Sequence, residues 1–187
     1  MAINQYLSQR YIALWDELNV LTTMLGVGGY DTETAVEKFR QAVGGAYVEG
    51  FAAAELELDE MFEFSMVMYD ECMNKEYNGV SIEDKFREYY EAADAEAIRT
   101  LTESEFHRAY GQGGVDGARQ SGRNVYKTWQ TMKDNRVRPA HDYLEGMRVG
   151  IDEKFRTLNG DEAEYPGGFT LAENNANCRC WLNFTTD

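Results

Sequence analysis

The sequence predicts an α+β protein, with a mainly helical N-terminal arm followed by a small C-terminal α+β domain. Near the start, apolar residues recur every three or four positions, which is the spacing of one helix face. From Val125 to Met132 the pattern alternates instead, as in a strand with one buried face. Beyond Asp134, turn-forming pairs follow one another closely, which is typical of short strands joined by loops. The predicted division is a helical acidic arm at 1–110, a glycine-rich joint at 111–124 and an α+β domain at 125–187.

Composition and charge limit the classes of partner. Hydrophobic residues make up 43% of the 187-residue chain, enough for a packed core, and no apolar run approaches the roughly 20 residues of a membrane span. The net charge of −15 comes entirely from residues 1–118, which carry 23 acidic and 8 basic side chains, whereas residues 119–187 carry 10 of each. Between Arg119 and Arg156 nine basic residues stand against five acids, which is typical of a solvated face. Because surplus acid repels DNA, we expect no sequence-specific nucleic-acid binding. Because no apolar run is long enough to span a bilayer, we expect no membrane partner.

The first helix of the arm carries one apolar stripe. Its members stand three or four positions apart: Leu7, Tyr11, Leu14, Leu18, Leu21 and Leu25. A stripe of this kind needs a second surface, which is either another part of the chain or a partner in an intermolecular seam. The partner hypothesis names Leu14 and Leu18. Gly26, Gly28 and Gly29 then end the helix.

A second helix begins near Asp31, whose side chain can accept hydrogen bonds from the first turn. Gly44-Gly45 predicts a kink or short break, after which helical character continues to about Tyr77. The end of this stretch has a wide methionine-rich arc, which suits either an ordinary buried helix or an adaptable partner surface. Two residues of the arc are candidate partner contacts, Met66 and Met73.

The last part of the arm follows a turn at Asn78-Gly79. Ser81 is placed to cap a helix that runs towards Tyr110. His107 stands alone near the end of that helix, and we expect it on the surface or facing the helix dipole rather than binding a ligand. Four glycines between residues 111 and 117 predict the flexible joint.

The C-terminal domain begins with the alternating stretch at Val125. A turn at Asp134-Asn135 follows, and Asp134 is placed to cap the short helix that carries His141. Residues 178–184 predict a final strand, which begins with the Cys-Arg-Cys triplet.

The order of the motifs in this half resembles the phage Mu F-like minor head protein family, also called the phage head morphogenesis family. That family shows a tryptophan, a D-x-R-V-R-x-x-H-x-x-L-x-G core, a Tyr-Pro-Gly turn and a closing E-N…N-C-R-C. The residues that match here are Trp129, Asp134, Arg136, Val137, Arg138, His141, Leu144, Gly146, Tyr165, Pro166, Gly167, Glu173, Asn174, Asn177, Cys178, Arg179 and Cys180. The resemblance extends over residues 95–187 and includes Arg99, Thr100, Thr102 and Glu103 in the preceding helix.

The resemblance implies a structural protein of a tailed-phage head, present in few copies and associated with the portal and other capsid proteins. It implies a role in head assembly and genome delivery rather than catalysis, and a place in the virion, in the capsid interior or the portal region. The first nine residues lack the pattern of a signal peptide, and three cysteines, an odd number, suit a reducing compartment. We therefore expect the host cytoplasm as the location during assembly.

Two other functional classes stay open. One is an enzyme carried in the virion, a Cys–His hydrolase or transferase. The other is a carrier for a fused toxin, since Mu F-like domains occur in such fusions. Only seven residues follow Cys180, so we expect no effector after it.

Three interpretations of His141 with Cys178 and Cys180 also stay open. The first is a hydrogen-bonded network that locks a small domain, because charge-assisted hydrogen bonds are the stronger ones. The second is a zinc site with Asp134 as a candidate fourth ligand, although a C-x-C pair chelates less readily than C-x-x-C. The third is a Cys–His nucleophile, although catalytic cysteines usually stand at a helix start. A disulfide between Cys178 and Cys180 is disfavoured by geometry.

We favour the network, without metal, cofactor or catalytic residue. Its predicted members are Trp129, Asp134, Arg136, Arg138, His141, Glu173, Asn177, Cys178, Arg179 and Cys180. Small domains have small cores, so we expect a dense set of directional contacts to stabilise this one.

Overall fold

The computed structural model describes residues 3–187, without the side chains of residues 3–5 and 8. Its helices are α1 (Ile3–Gly26), α2 (Thr32–Leu58), α3 (Met66–Met73), α4 (Ile82–Glu91), α5 (Ala95–Arg119), α6 (Pro139–Asp142) and α7 (Ala172–Asn175). Its strands are β1 (Glu76–Tyr77), β2 (Val80–Ser81), β3 (Val125–Gln130), β4 (Arg148–Gly150), β5 (Phe155–Arg156), β6 (Glu162–Ala163) and β7 (Trp181–Thr186). N-terminal helices followed by small antiparallel sheets confirm the predicted α+β class. Among the described residues, no helix combines the length and the apolar character that a membrane span requires.

Helix α1 turns its apolar stripe towards the rest of the chain. Five members of the stripe are buried: Leu7, Tyr11, Leu14, Leu18 and Leu25. They belong to a core cluster that α2, α4 and α5 also line. The expectation that Leu14 and Leu18 contact a partner is therefore wrong, because the chain itself supplies the surface that the stripe needs.

Helix α2 begins where the sequence predicts but ends earlier. The side chain of Asp31 accepts a hydrogen bond from the Thr34 backbone N–H at 2.9 Å, as a cap does. Of the kink or short break predicted at Gly44-Gly45, the break is wrong, since α2 continues through both residues. Extension of the helix to Tyr77 is also wrong: Asp59 adopts a left-handed φ of 50° and ends α2 by donating its N–H to the Glu55 carbonyl.

The methionine-rich arc is divided between core and surface. Met73 lies in the core formed by the first helices, so the expectation that it contacts a partner is wrong. Met66, the other candidate contact, is 58% exposed at the start of α3. The loop between α2 and α3 adds Met61, which is 84% exposed. An apolar surface thus exists here, but on the loop and the first turn of α3 rather than along a long helix.

The turn and the cap predicted before the last helix of the arm are confirmed. Asn78 and Gly79 have φ values of 55° and 77° and join β1 to β2 in a tight hairpin. Ser81 then accepts a hydrogen bond from the Asp84 backbone N–H at 3.0 Å and caps α4. The single helix expected here is two helices, because Ala93, with a φ of 53°, separates α4 from α5.

Helix α5 runs unbroken through the four glycines expected to form a flexible joint, so that expectation is wrong. Instead, these glycines allow close packing. A Cβ atom on Gly113 would lie 2.1 Å from the Tyr47 carbonyl oxygen in α2, and one on Gly50 would lie 2.0 Å from the Tyr110 carbonyl oxygen in α5. The two helix backbones are therefore in direct contact. The division of the chain at residues 110 and 125 stays a prediction.

The three-stranded antiparallel sheet has the order β4-β3-β7. The alternation predicted for β3 puts Val125, Lys127 and Trp129 on its buried face. The buried Lys127 ammonium donates to the Ile151 carbonyl at 2.7 Å, and burial lowers the pKa of Lys127 to about 8. The final strand begins at Trp181, so the Cys-Arg-Cys triplet lies just before β7 rather than within it.

Helices α2 and α5 contribute to both apolar cores of the molecule. The first core contains the stripe of α1 together with residues of α2, α4 and α5. The second contains the buried face of the sheet, and Ala54 and Leu58 of α2 and Val115 and Ala118 of α5 pack into it. The sheet is thus completed by helices that the sequence assigned to the arm.

Candidate functional site

A buried centre forms where α6 meets the segment before β7. His141 Nδ1 lies 3.4 Å from the Cys178 sulfur and 3.5 Å from the Cys180 sulfur. Ligand-capable atoms of the three residues all lie within 4.8 Å of one another. The structure therefore brings together the three side chains that the sequence singled out for metal or nucleophile chemistry.

The local sequence explains how these residues meet. Pro139 opens α6 with a φ suited to a helix, and Arg138 before it is extended, as a residue preceding proline usually is. On the other side, Asn177 adopts a left-handed φ of 54° after α7 and turns the chain towards Cys178. The His141 ring then stacks on Phe169, with ring centroids 5.5 Å apart.

Trp129 forms one wall of the centre. Its indole stands edge-on to the His141 ring, with centroids 5.5 Å apart, and it also contacts Phe155 and Phe169. The Trp129 carbonyl accepts a hydrogen bond from the Gly146 N–H at 2.9 Å, where Gly146 has a φ of 73°. Trp129 thus ties β3 to the chain that follows α6.

The two thiols have different acidities. Burial acts to raise the pKa of Cys178, but the hydrogen bond with Cys180 and the imidazoles of His107 and His141 lower the pKa of Cys178 well below its ordinary value. The pKa of Cys180 is raised, because its hydrogen bond with Cys178 and its burial both retain its proton. The pair can therefore hold one thiolate, centred on Cys178.

Several polar atoms around the thiols have no hydrogen-bond partner among the described residues. They are His107 Nε2, His141 Nε2 and Trp129 Nε1. Such atoms are rare in folded proteins, and a group of them calls for an explanation such as a water or an ion. A cavity of about 10 Å³ reaches His141 and both thiols, which is room for roughly one water-sized particle.

Part of the predicted network is present at the surface. Arg179 Nη2 donates to both carboxylate oxygens of Asp134, at 2.8 and 2.9 Å, and this contact lowers the pKa of Asp134. Asp134 also accepts the Arg136 backbone N–H at 3.0 Å, so it organises its own loop and does not cap α6. Arg138 donates to the Ala176 carbonyl and links the same loop to the end of α7.

Other predicted members do not join this network. Glu173 and Asn177 are exposed, and among the described residues neither side chain has a hydrogen-bond partner. Asn174 is the anchored residue of the closing motif, because its side chain donates to Asp161 at 2.8 Å. Asp161 also accepts the backbone N–H of Thr170 and of Leu171. Although burial opposes it, these hydrogen bonds lower the pKa of Asp161.

Sequence reasoning missed Asp161, Tyr11 and His107. The available signal for Asp161 was a short acidic side chain among turn residues, which often binds nearby backbone N–H groups. His107 was expected on the surface or facing the helix dipole and is instead buried, with its Nδ1 2.8 Å from the Tyr11 hydroxyl. That hydroxyl donates to the Cys180 carbonyl at 3.1 Å. No local pattern reveals a contact between residues so far apart in sequence.

The Tyr-Pro-Gly turn lies against α5 beside His107. Gly167 has a φ of 85°, which favours glycine, and a Cβ there would lie 2.9 Å from the Arg108 backbone nitrogen and 3.1 Å from His107 Cδ2. From the helix side, a Cβ on Gly111 would lie 3.0 Å from the Pro166 carbonyl oxygen. The turn and α5 therefore pack with almost no intervening side chain.

Comparison with known proteins agrees with these motifs. The family described as Phage Mu protein F like protein matches residues 69–183, more than half of the chain. Minor head protein GP7 of Bacillus phage SPP1 is 32% identical over 91 residues, which are 48% of this chain and 30% of that protein. NAD(+)--arginine ADP-ribosyltransferase EFV of Enterococcus faecalis is 38% identical over 69 residues, which are 37% of this chain and 14% of that protein.

The aligned parts cover less than a third of either relative. No solved structure gives a significant match. The family match spans α5, β3, β4, α6 and the Cys-Arg-Cys triplet, and so contains Trp129, His141, Cys178 and Cys180. This chain therefore belongs to the Phage Mu protein F like protein family.

Proposed function

We propose that this chain is a structural minor head protein of a tailed phage, which acts in head assembly at the portal and in genome delivery. The main support is that the central residues of the family motif are buried inside the fold. Trp129, His141, Cys178 and Cys180 are buried, and the cavity that reaches His141 and the two thiols measures about 10 Å³. Substrate pockets are on the order of 300 Å³ or more, and the larger cavity beside the motif arginines, about 490 Å³, is not lined by the thiols, so the buried thiols suit a stabilising role.

The relatives add support of a second kind. The SPP1 protein is named a minor head protein, and the shared part includes about half of this chain. A head protein works by contact with other capsid components. Its location would be the virion, in the capsid interior or the portal region, after synthesis in the host cytoplasm.

The portal contact that we propose is the apolar surface between α2 and α3. Met61, Met66 and Val67 are 84%, 58% and 69% exposed, and they stand close together in sequence. Clustered exposed apolar side chains mark protein-binding surfaces more often than isolated ones do. The acid surplus of residues 1–118 favours a partner with a basic rim and disfavours DNA as the partner.

A portal-binding assay with purified portal of the same phage tests this proposal. The Met66→Asp, Val67→Asp double variant is expected to bind at least about tenfold more weakly, because burying each side chain is worth roughly 1.5–3 kcal/mol. Leu158→Asp, at an equally exposed position (68%) in the hairpin between β5 and β6, is the matched control and is expected to bind normally. Incorporation of the double variant into heads at the wild-type level would overturn the proposal.

The competing function is a virion-carried Cys–His enzyme, and the lowered pKa of Cys178 beside His141 favours it. The relative named as an ADP-ribosyltransferase shares only 14% of its length with this chain. Under the structural function, Cys178→Ser is expected to reduce stability and head incorporation together. A Cys178→Ser protein that folds and assembles normally, while the yield of infectious phage falls, would favour the enzyme instead.

A further inference from the structure

We propose that His107, His141, Cys178 and Cys180 together form a structural zinc site that joins α5 to the C-terminal motif. The sequence pattern suggested three of these ligands with Asp134 as the fourth. Asp134 is instead exposed and paired with Arg179 through both of its carboxylate oxygens. The fourth ligand comes from α5.

The spacing of the three central ligands fits one tetrahedral ion. Zinc lies about 2.3 Å from thiolate sulfur and about 2.0–2.1 Å from imidazole nitrogen. A tetrahedral angle then separates the nitrogen and the sulfur by about 3.5 Å. The observed distances from His141 Nδ1 are 3.4 Å to Cys178 and 3.5 Å to Cys180. Both separations are those expected between ligands of one tetrahedral ion, and the two sulfurs lie within 4.8 Å of each other.

The hydrogen bonds of Tyr11 determine which nitrogen of His107 is free. The Tyr11 hydroxyl has one proton, and it donates that proton to the Cys180 carbonyl at 3.1 Å. The 2.8 Å contact with His107 then fits a hydrogen bond from His107 Nδ1–H to the hydroxyl oxygen. In that tautomer the lone pair on Nε2 is available to an ion. Zinc-binding histidines use this arrangement, in which the second nitrogen donates to a fixed oxygen.

His107 Nε2 is buried and has no hydrogen-bond partner among the described residues. The Tyr11 hydroxyl, which contacts His107 Nδ1, also contacts the Cys180 carbonyl, so this ring lies beside the segment that carries the thiols. His107 Nε2 stands outside the 4.8 Å group of the other three ligands, so binding requires a movement of this ring towards the ion. The close approach of Gly167 to the ring limits movement in other directions.

The charge and the ligand set both favour zinc over a metal-free network. Binding of a divalent ion would release the proton that Cys180 retains, and the two thiolates would then neutralise the ion, so the complete site carries no net charge into the core. Two sulfur and two nitrogen ligands in tetrahedral geometry are typical of zinc. Thiolates would also provide an acceptor for the indole N–H of Trp129, which stands edge-on to His141 and has no hydrogen-bond partner among the described residues.

Metal analysis of the full-length protein, purified without added metal, is the first test. We expect about one zinc per chain, a loss of zinc in Cys178→Ser, and full zinc content in Cys72→Ser, which changes a buried cysteine outside the site. We also expect a zinc chelator to lower the melting temperature of the wild type. Absence of zinc from the wild type, together with no tetrahedral spectrum on addition of Co²⁺, would overturn the proposal.

The role of His107 has its own test, which Co²⁺ spectroscopy provides. His107→Ala is expected to weaken Co²⁺ binding by more than roughly tenfold. His107→Cys is expected to keep a tetrahedral Co²⁺ site and to strengthen the sulfur-to-cobalt absorption, because it adds a third thiolate. This variant remains informative if His107→Ala fails to fold. An unchanged affinity in His107→Ala, or an unchanged spectrum in folded His107→Cys, would remove His107 from the site.

Discussion

The close contact between α2 and α5 predicts that Gly50→Ala lowers the free energy of unfolding. A Cβ atom there would lie 2.0 Å from the Tyr110 carbonyl oxygen, 2.9 Å from the Tyr110 carbonyl carbon and 3.1 Å from the Gly114 nitrogen. All three are backbone atoms, so no side chain can rotate away. Gly50→Ala must therefore separate the two helices by more than about 1 Å and open gaps on both sides of the contact.

The magnitude follows from two opposing effects. Overpacking of a well-packed interior costs about 1–3 kcal/mol or more, and a clash with backbone belongs at the upper end. Replacing glycine with alanine inside a helix recovers about 1 kcal/mol of helix propensity. We expect a net loss of about 1–2 kcal/mol in the free energy of unfolding, which lowers the melting temperature by roughly 2–8 °C.

Gly45→Ala is the matched control, because Gly45 lies in the same helix, is exposed, and a Cβ there meets no atom within 4 Å. It is expected to raise the free energy of unfolding by about 0.5–1 kcal/mol. Urea denaturation followed by far-UV circular dichroism measures both variants against the wild type. If Gly50→Ala is as stable as Gly45→Ala, the close helix contact is refuted.

Two further predictions concern buried charge. Burial raises the pKa of Glu57 to about 7 from an ordinary value of 4.5, so its contribution to stability is complete below about pH 4.5 and is lost as the pH rises through 7. Glu57→Gln should therefore flatten this part of the stability profile in urea denaturation between about pH 5 and pH 8, and an unchanged slope would contradict the assignment. Arg108 and Glu105 form an ion pair at 2.7 Å with side chains 4% and 2% exposed. Arg108→Ala should cost about 3–5 kcal/mol, because it leaves the Glu105 carboxylate without its cation, and the Glu105→Gln, Arg108→Met double variant should cost less. Equal losses in the two proteins would contradict this reasoning.

Features that depend on neighbouring residues could be predicted from the sequence. The caps at Asp31 and Ser81 and the turn at Asn78-Gly79 need only a side chain and the backbone a few positions away. The alternation of β3 likewise reports the two faces of one strand. The three residues of the central site were found because their types and their order in the motif are unusual.

Features that depend on distant residues could not be predicted in this way. A glycine that breaks a helix and a glycine that admits a second helix look alike in sequence, and only the position of Tyr47 distinguishes Gly113 from a joint residue. A lone histidine in a helix is usually exposed, and His107 is buried because Tyr11, 96 positions earlier, covers it. The apolar stripe of α1 showed a buried face without showing what buries it.

The same distant contacts explain why the motif residues are spread over so long a stretch of chain. Gly167 of the Tyr-Pro-Gly turn and Gly111 of α5 bring the turn and the helix into contact, and this places the turn beside His107. The Cys-Arg-Cys triplet reaches the same point from the other side, where the Cys180 carbonyl accepts the Tyr11 hydroxyl. Each motif therefore fixes one side of a single buried centre. Tyr11 comes from α1 and His107 from α5, so the helices and the sheet stabilise one another through this centre. We therefore expect a partner that binds the helices to change the conformation of the centre as well.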